Sequence, residues 1–345
     1  MNMIKTVSVW RSCMRKIKVA QIGTSKNSHG KHVFTTLTEL SDVFEIVGYA
    51  LPEGEREKFP TQMDIFEGYT EMTVEEILSN PEIEAVTVET EEIYLTKYAL
   101  MVARAGKHLH MEKPGGTSLA DFRTLVSILK EKSLVFSTGY MYRFNPKVTE
   151  AMEKIKRGDL GKIYAVEAHM DCKHKTPLRE WLENFPGGMT FFLGCHLIDL
   201  IYRIQGEPDE VIPLSCSTGI DGVNSKDYGM VAFKYPHGVS FAKTCAAEYG
   251  GYMRRQLVIC GELGTIEIKP LEAVDESKGH YTVMNESYEA GWYRSWETSY
   301  SESYHRYKAM LENFAELVLG KENPYSYDYE LGLYELIMKS CGVEV

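Results

Sequence analysis

The chain has 345 residues, 44% hydrophobic and 25% charged, too long for one typical domain and long enough for two separate cores. A formal net charge of −11, with no basic run longer than Arg15-Lys16, argues against nucleic acid as a partner. No apolar run approaches membrane-spanning length, so no membrane partner is expected either.

Residues 1–13 carry neither a long apolar stretch nor a small-residue cleavage site, a poor signal peptide, and read as an upstream start or a ragged tail. Residues 16–23 read as a buried strand running into a glycine turn, and residues 30–40 show helical spacing. Residues 44–50 form a second apolar strand. Thr73 and Glu76 have the spacing of a capping box that opens a short helix. Strands follow at 85–88 and 108–111, with a helix at 94–105 closed by Gly106 and another at 118–132. Strands alternating with helices predict a doubly wound parallel sheet in a first domain at 14–137.

Beyond residue 138 the pattern changes. A helix at 146–157 ends at Gly158, and strands then dominate: 162–170, 211–218, 228–234, 240–246, 255–260 and 265–269. Tyr235-Pro236-His237-Gly238 reads as a hairpin turn between two of them. A helix at 192–205 interrupts the run, and helices at 304–319 and 329–341 close the chain. The second domain, 138–345, is therefore expected to be α+β with a mainly antiparallel open sheet, its closing helices packing back on the first domain. Residues 281–307 are rich in tyrosine and tryptophan, which serve for packing or for stacking on a sugar ring. The seven cysteines are scattered and form no Cys-x-x-Cys pair, as expected of buried thiols in a reducing cytoplasm.

Four places carry candidate chemistry. The turn after the first strand, Gly23-Thr24-Ser25-Lys26-Asn27-Ser28-His29-Gly30, keeps the first glycine of a dinucleotide loop. Serine replaces the second glycine, and the last is displaced by a longer loop. At the end of the second strand, Leu51 stands where a ribose-binding acid is expected, and Arg56 and Lys58 nearby lean slightly toward a phosphorylated ribose. Glu112-Lys113-Pro114-Gly115-Gly116 leaves the strand at 108–111, placing a lysine at the mouth of a parallel sheet. Gly187-Gly188 leads to a helix bearing His196 and, three residues on and on the same face, Asp199. Histidine suits proton transfer near neutral pH. Each has a plainer reading as well: Lys113 as a solvated loop lysine, His196 as a satisfied core histidine. His108 and His110 alternate on a strand, but no carboxylate or cysteine is spaced to complete a metal site, so no metal is expected.

Taken together and in order, these elements resemble the glucose–fructose oxidoreductase, inositol dehydrogenase and rhizopine-catabolism (Gfo/Idh/MocA) family. The resemblance rests on the N-terminal strand-turn-helix, on Ala105-Gly106-Lys107-His108-Leu109-His110-Met111-Glu112-Lys113-Pro114, and on Gly187-Gly188 with Gly194-Cys195-His196-Leu197-Ile198-Asp199. Tyr140-Met141-Tyr142-Arg143-Phe144-Asn145-Pro146 and Gly261-Glu262-Leu263-Gly264-Thr265-Ile266 add to it. It implies a Rossmann domain that binds NAD or NADP and oxidation or reduction of a sugar, cyclitol or related polyol in a cleft between two domains. Lys113 and His196 are the implied catalytic residues. Gly23, Thr24, Ser25, Lys26, Asn27, Leu51, Thr90, Tyr94, Glu112 and Lys113 are the implied cofactor site, and Tyr142, Arg143, Asp171, His174 and Asp199 the implied substrate site. A homodimer or homotetramer is expected, since the second domain's sheet has helices on one face only.

The chain departs from the family pattern at the glycine loop, at Leu51, at Tyr94 in place of a frequent histidine, and at Phe192. Many members have an aspartate at that last position, one turn before the histidine; Asp199, Asp171 or His174 are the candidate substitutes. These departures leave two other readings open: an enzyme that cycles a tightly held NAD through elimination or glycosidic cleavage, and a non-catalytic sugar sensor.

Overall fold

The computed structural model describes residues 15–277, 279–291 and 296–345. The expected tail at 1–13, with Cys13, lies outside them, as do Trp292 and Tyr293 of the aromatic run. The chain divides into two compact units. One runs to Gly139 and includes Tyr307–Leu331; the other comprises Tyr140–Arg306 and Gly332–Val345.

In chain order the first unit contains β1 (Ile17–Ile22), α1 (Gly30–Glu39), β2 (Phe44–Ala50), a single turn α2 (Glu55–Lys58), α3 (Val74–Ser79), β3 (Ala85–Val88), α4 (Leu95–Arg104), β4 (His108–Met111), α5 (Leu119–Glu131) and β5 (Phe136–Thr138). The five strands form one parallel sheet in the order β2-β1-β3-β4-β5. All four β3 residues are buried, as expected of a parallel strand covered on both faces. The chain leaves β1 for β2 on one side and returns to β3 on the other. This is the switch point beyond which open α/β sheets bind ligands. The capping box is present: Thr73 Oγ accepts from the Glu76 amide at 3.1 Å, and the Glu76 carboxylate accepts from the Thr73 amide at 2.7 Å.

The second unit holds α6 (Pro146–Arg157), β6 (Ile163–Asp171), α7 (Thr176–Trp181), a π-type turn Thr190–Gly194, α8 (Cys195–Gln205) and β7 (Glu210–Pro213). The strands β8 (Tyr228–Tyr235), β9 (Gly238–Cys245), β10 (Gln256–Gly261), β11 (Thr265–Ile268), β12 (Ala273–Asp275), β13 (Gly279–Tyr281), β14 (Val283–Ser287) and β15 (Glu297–Tyr300) follow. The large sheet runs β15-β14-β11-β10-β6-β9-β8-β7, and β6–β9 is its one parallel pair among the described residues. Tyr235 pairs with Gly238 across the expected hairpin turn. The last helices are α9 (Lys308–Val318) and α10 (Tyr327–Ser340). In the first unit's core, Leu311, Phe314 and Ala315 of α9 pack with Val33 and Leu37 of α1 and Ile17 and Val19 of β1.

Three expected boundaries shift. The strand expected at 211–218 is regular only to Pro213; its pairing with β8 goes on through Leu214 and a bridge at Cys216, and beyond it Asp227 Oδ1 takes the Thr218 amide at 2.7 Å. The helix expected from 304 starts at Lys308; Tyr304 bridges His280, and its hydroxyl lies 3.2 Å from Thr282 Oγ. The helix expected from 192 is entered through the π-type turn, which re-aims the residues ahead of His196. The one-turn helices α2 and α7 and the strands β12–β15 were not anticipated.

Candidate active site

In the first unit the chain leaves β4 at Met111, passes Glu112 and Lys113, crosses a cis peptide bond to Pro114 and turns through Gly115 and Gly116, both at positive φ. Thr96 Oγ donates to the Gly115 carbonyl. Lys113 Nζ lies 3.5 Å from Glu112 Oε1, and each side chain is only 1% exposed. His29 Nδ1 lies 3.4 Å from the same Glu112 oxygen. Gly139 lets this carboxylate approach, since a Cβ there would stand 2.6 Å from Glu112 Oε2.

Two further acids are sealed at the end of β3. Glu89 and Glu92 have no exposed surface, and the Glu89 carboxylate lies 3.8 Å from Nε2 of the equally buried His110. Burial pushes Glu89 well above the usual carboxylate range, helped by repulsion from Glu112 and Glu92. Burial also lifts Glu92, to about 7, against the attraction of Lys113. Glu112 goes the other way: burial opposes its charge, but His29 and Lys113 more than offset that and hold it below its ordinary value. Burial takes His110 down to about 4, so it is neutral. The arrangement therefore places one buried lysine beside one ionised carboxylate, with neighbouring acids that favour the neutral form. Divergent acidities in one cluster are what proton transfer requires.

The expected cofactor residues lie at the carboxyl ends of β1, β2 and β3. Gly23, at φ +91, touches Thr90 so closely that a Cβ would stand 2.5 Å from the Thr90 amide nitrogen. Ser25, in place of the second glycine, donates its amide to the Glu89 carbonyl at 2.9 Å and receives the Asn27 amide on its Oγ at 3.3 Å. Lys26 follows in the same loop, which runs into α1; His29, at its N-cap, makes no side-chain capping bond. Leu51 packs against the Phe34–Tyr49–Phe66 cluster. It also lines a cavity of about 470 Å³ with Pro52, Thr73, Lys97, Tyr98 and Met101, within the size range of small-ligand pockets. The ammonium groups of Lys58 and Lys97 lie 5.9 and 5.8 Å from the ring centre of Tyr94. Arg56 and Lys58, the residues read as leaning toward a phosphorylated ribose, pair with Glu71 and Glu91, and Lys97 pairs with Glu53. The uncapped α1 amides and the cavity beyond β2 fit a dinucleotide, its phosphates at the helix start and its nucleoside beyond β2.

In the second unit, His196 sits on the first turn of α8 with 1% exposure. The rings of Tyr140 and Tyr142 stand edge-on to its imidazole at 5.9 and 5.1 Å. The Tyr142 hydroxyl donates to Glu272 at 2.8 Å and accepts from Arg255 at 3.1 Å. Arg143 and Asp199 are committed to each other: Arg143 Nε and Nη2 donate to Asp199 Oδ1 at 2.9 and 2.7 Å, with both side chains buried. Asp171 pairs with Lys243 at 2.9 Å, and burial raises its carboxyl. His174, lowered to about 4 by burial, lies 6.4 Å from Phe192, which also packs on Trp181 and Phe185. Of the three candidate substitutes for the family aspartate, then, Asp199 and Asp171 serve cations, and His174 joins an aromatic cluster. Asp199 lies three residues after His196 on α8, and there its carboxylate is taken by an arginine from the segment after Tyr140.

Sequence reasoning missed Glu55, Gln62, Glu89 and Glu92. Glu89 was open to detection, because an acid directly after a four-residue buried strand lies where the sheet collects its ligands. Among the described residues, no group of three or more His, Cys, Asp and Glu is placed to hold a metal ion, and no helix is long and apolar enough to cross a membrane.

Comparison with known proteins agrees with this geometry. Residues 17–140 match the family described as "Oxidoreductase family, NAD-binding Rossmann fold", and residues 148–267 match the "GFO/IDH/MocA C-terminal domain". Over 139 residues the chain is 32% identical to the Escherichia coli protein named uncharacterized oxidoreductase YhhX, covering 40% of each. It is 26% identical to bovine trans-1,2-dihydrobenzene-1,2-diol dehydrogenase, covering 62% of this chain and 64% of that one. The matched segments thus span less than two thirds of either relative. A solved levoglucosan dehydrogenase, in complex with NADH and levoglucosan, has the same fold: TM-score 0.77 at 18% identity over 95% of this chain and 98% of that one.

Proposed function

The chain belongs to the Gfo/Idh/MocA family of oxidoreductases, and from that premise we propose that it is a nicotinamide-dinucleotide-dependent dehydrogenase or reductase acting on a CH–OH group of a sugar, cyclitol or related polyol. The observation that carries the reading is the buried Lys113–Glu112 pair where β4 opens, among acids with divergent acidities. Relatives named for a diol and for 1,5-anhydro-D-fructose support the substrate class. The bound dinucleotide supplies the two-electron acceptor or donor. In the oxidative direction His196 takes the substrate's hydroxyl proton, and Lys113 stabilises the oxygen as it gains negative charge. Glu112, 3.5 Å from its Nζ, holds Lys113 in place, while the neutral form of Glu89 adds no competing charge. The edge-on rings of Tyr140 and Tyr142 set the plane of the His196 imidazole, a task that an aspartate at position 192 would otherwise share. Positioning of the reacting carbon supplies much of the rate.

A panel of sugars, cyclitols and polyols, assayed with NAD and NADP and with the reduced forms against the matching ketones, tests the proposal. Turnover of at least one with a dissociable dinucleotide is expected. A chain that binds none of the four dinucleotides at millimolar concentration refutes it. One that retains dinucleotide through purification without net turnover supports the cofactor-cycling reading instead.

A further inference from the structure

The loop after β1 lacks the second glycine that normally shapes a dinucleotide turn, yet three of its consecutive residues are held from inside the fold. The Thr24 amide donates to Glu55 Oε2 at 2.9 Å. Gln62 Nε2 donates to Thr24 Oγ at 2.7 Å and to the Thr24 carbonyl at 2.9 Å, while its Oε1 accepts from the Lys26 amide at 3.2 Å. Thr24, Ser25 and Glu55 have no exposed surface, and Gln62 has 8%. Both clamping residues come from the segment after β2. There Glu53 and Gly54 take left-handed conformations in succession and turn the chain back toward β1. Glu53 is anchored to Lys97 and to the Tyr98 hydroxyl, and Arg56 to Glu71, so the segment is strapped on both sides of Glu55.

We propose that Glu55 and Gln62 are positioning residues for the dinucleotide loop, clamping residues 24–26 in place of the missing glycine pattern. The proposal rests on the reading that this chain binds a nicotinamide dinucleotide. A carboxylic acid and a carboxylate both accept from the Thr24 amide, but they differ toward a phosphate nearby. Burial pushes Glu55 up to about 8; the Thr24 hydrogen bond and Lys58 favour its charge, and Glu91 and Glu53 oppose it. At neutral pH Glu55 therefore clamps the loop mainly as a neutral acid. Above about pH 8 it places a negative charge one residue from the loop amides, and dinucleotide affinity falls.

Hydrogen exchange and NADH binding test this on the full chain, with Glu55→Gln and Glu55→Ala beside the parent. Glutamine keeps an acceptor for the Thr24 amide and cannot ionise; alanine removes the acceptor. Without dinucleotide, exchange in the peptide covering residues 20–30 should accelerate at least tenfold in Glu55→Ala and stay within threefold of the parent in Glu55→Gln. The parent's NADH dissociation constant should rise about tenfold between pH 7 and pH 9.5, as expected for charges several ångströms apart at intermediate dielectric. In Glu55→Gln it should stay flat at the parent's neutral-pH value. Glu55→Ala should show a flat profile about tenfold weaker than the parent at neutral pH, the effect of losing one buried hydrogen bond. Unchanged exchange in Glu55→Ala overturns the clamp whether or not the parent binds NADH. A pH dependence that persists in Glu55→Gln overturns the role given to the acid. Absence of NADH binding by the parent, with accelerated exchange in Glu55→Ala, supports the clamp and refutes the functional reading alone.

Discussion

Glu92 should make the first unit less stable as pH rises, and Glu92→Gln should remove that loss. The residue opens the turn Glu92–Tyr94 after β3 and has no exposed surface. Burial raises its carboxyl from 4.5 to about 7 despite Lys113, with Glu112 and Glu91 adding repulsion. Below about pH 4.5 both folded and unfolded chains carry the proton, so ionisation of Glu92 costs nothing. Between about pH 4.5 and 7 the unfolded chain releases it and the folded chain keeps it, so stability falls as pH rises. Above about pH 7 the loss is complete, on the order of 3 kcal/mol at 1.36 kcal/mol per pKa unit. Glutamine cannot ionise, although its buried amide carries a constant hydrogen-bonding cost. The informative quantity is therefore the change with pH of the stability gap between variant and parent. That gap should shift in favour of Glu92→Gln by on the order of 3 kcal/mol from pH 4.5 to pH 8, several degrees in the melting midpoint of this unit. Calorimetry or urea titration at the two pH values measures it. A gap that stays constant, or that moves toward the parent as pH rises, refutes the assignment of Glu92 as a buried, mainly neutral acid at moderate pH.

Asp199→Ala should destabilise the second unit by about 3–5 kcal/mol, because it leaves the Arg143 guanidinium buried without its carboxylate. Urea titration checks this, and a loss under 1 kcal/mol would show that the pair is not sealed. Lys113→Ala and His196→Ala should each lower the maximal rate by about a hundredfold to ten-thousandfold, as for loss of a general acid or base, and Lys113→Ala should also lower the melting midpoint, because it leaves the buried Glu112 without its lysine. Steady-state kinetics on whichever substrate the panel reveals decides this, and turnover within a few-fold of the parent refutes that residue's role. A homodimer or homotetramer should form through the open face of the eight-stranded sheet, where Ile212 and Val239 are 41% and 55% exposed. Ile212→Glu with Val239→Lys should shift sedimentation toward the monomer. A parent that sediments as a monomer at micromolar concentration refutes the interface.

What was legible in the sequence was whatever periodicity and local capping dictate. β2, β3, β4 and α6 fall at the residues expected, because an apolar run bounded by Gly, Pro or an Asn cap has few other solutions. The antiparallel character of the second sheet was legible from strands that follow one another with few intervening helices and from the turn at Tyr235-Pro236-His237-Gly238. β12–β15 were not, since their partly exposed residues leave weak alternation; nor were the single turns α2 and α7, too short to show a period. The site divides in the same way. Lys113 and His196 stand in local motifs and could be named. The pairing of Arg143 with Asp199 joins residues 56 apart in sequence, and nothing local to either announces it.

The acids show most clearly where sequence reading stops. The acids of Glu89-Thr90-Glu91-Glu92 and Glu53-Gly54-Glu55 all count fully toward the formal −11. The fold treats them unequally. Glu53 finds Lys97 and the Tyr98 hydroxyl, which hold its carboxyl below the usual range. Glu55, Glu89 and Glu92 are carried into the sheet's carboxyl end, where burial favours the proton over the charge. Near neutral pH the folded chain is therefore less negative than its composition states, and the difference is concentrated where an anionic cofactor would approach. A parallel sheet crowds its loops together at that end, and this one fills the space with acids whose neutral forms remove the repulsion that their number implies. The lysine at the mouth of β4 then keeps one carboxylate partner, Glu112, and the loop after β1 keeps an acceptor without a full charge.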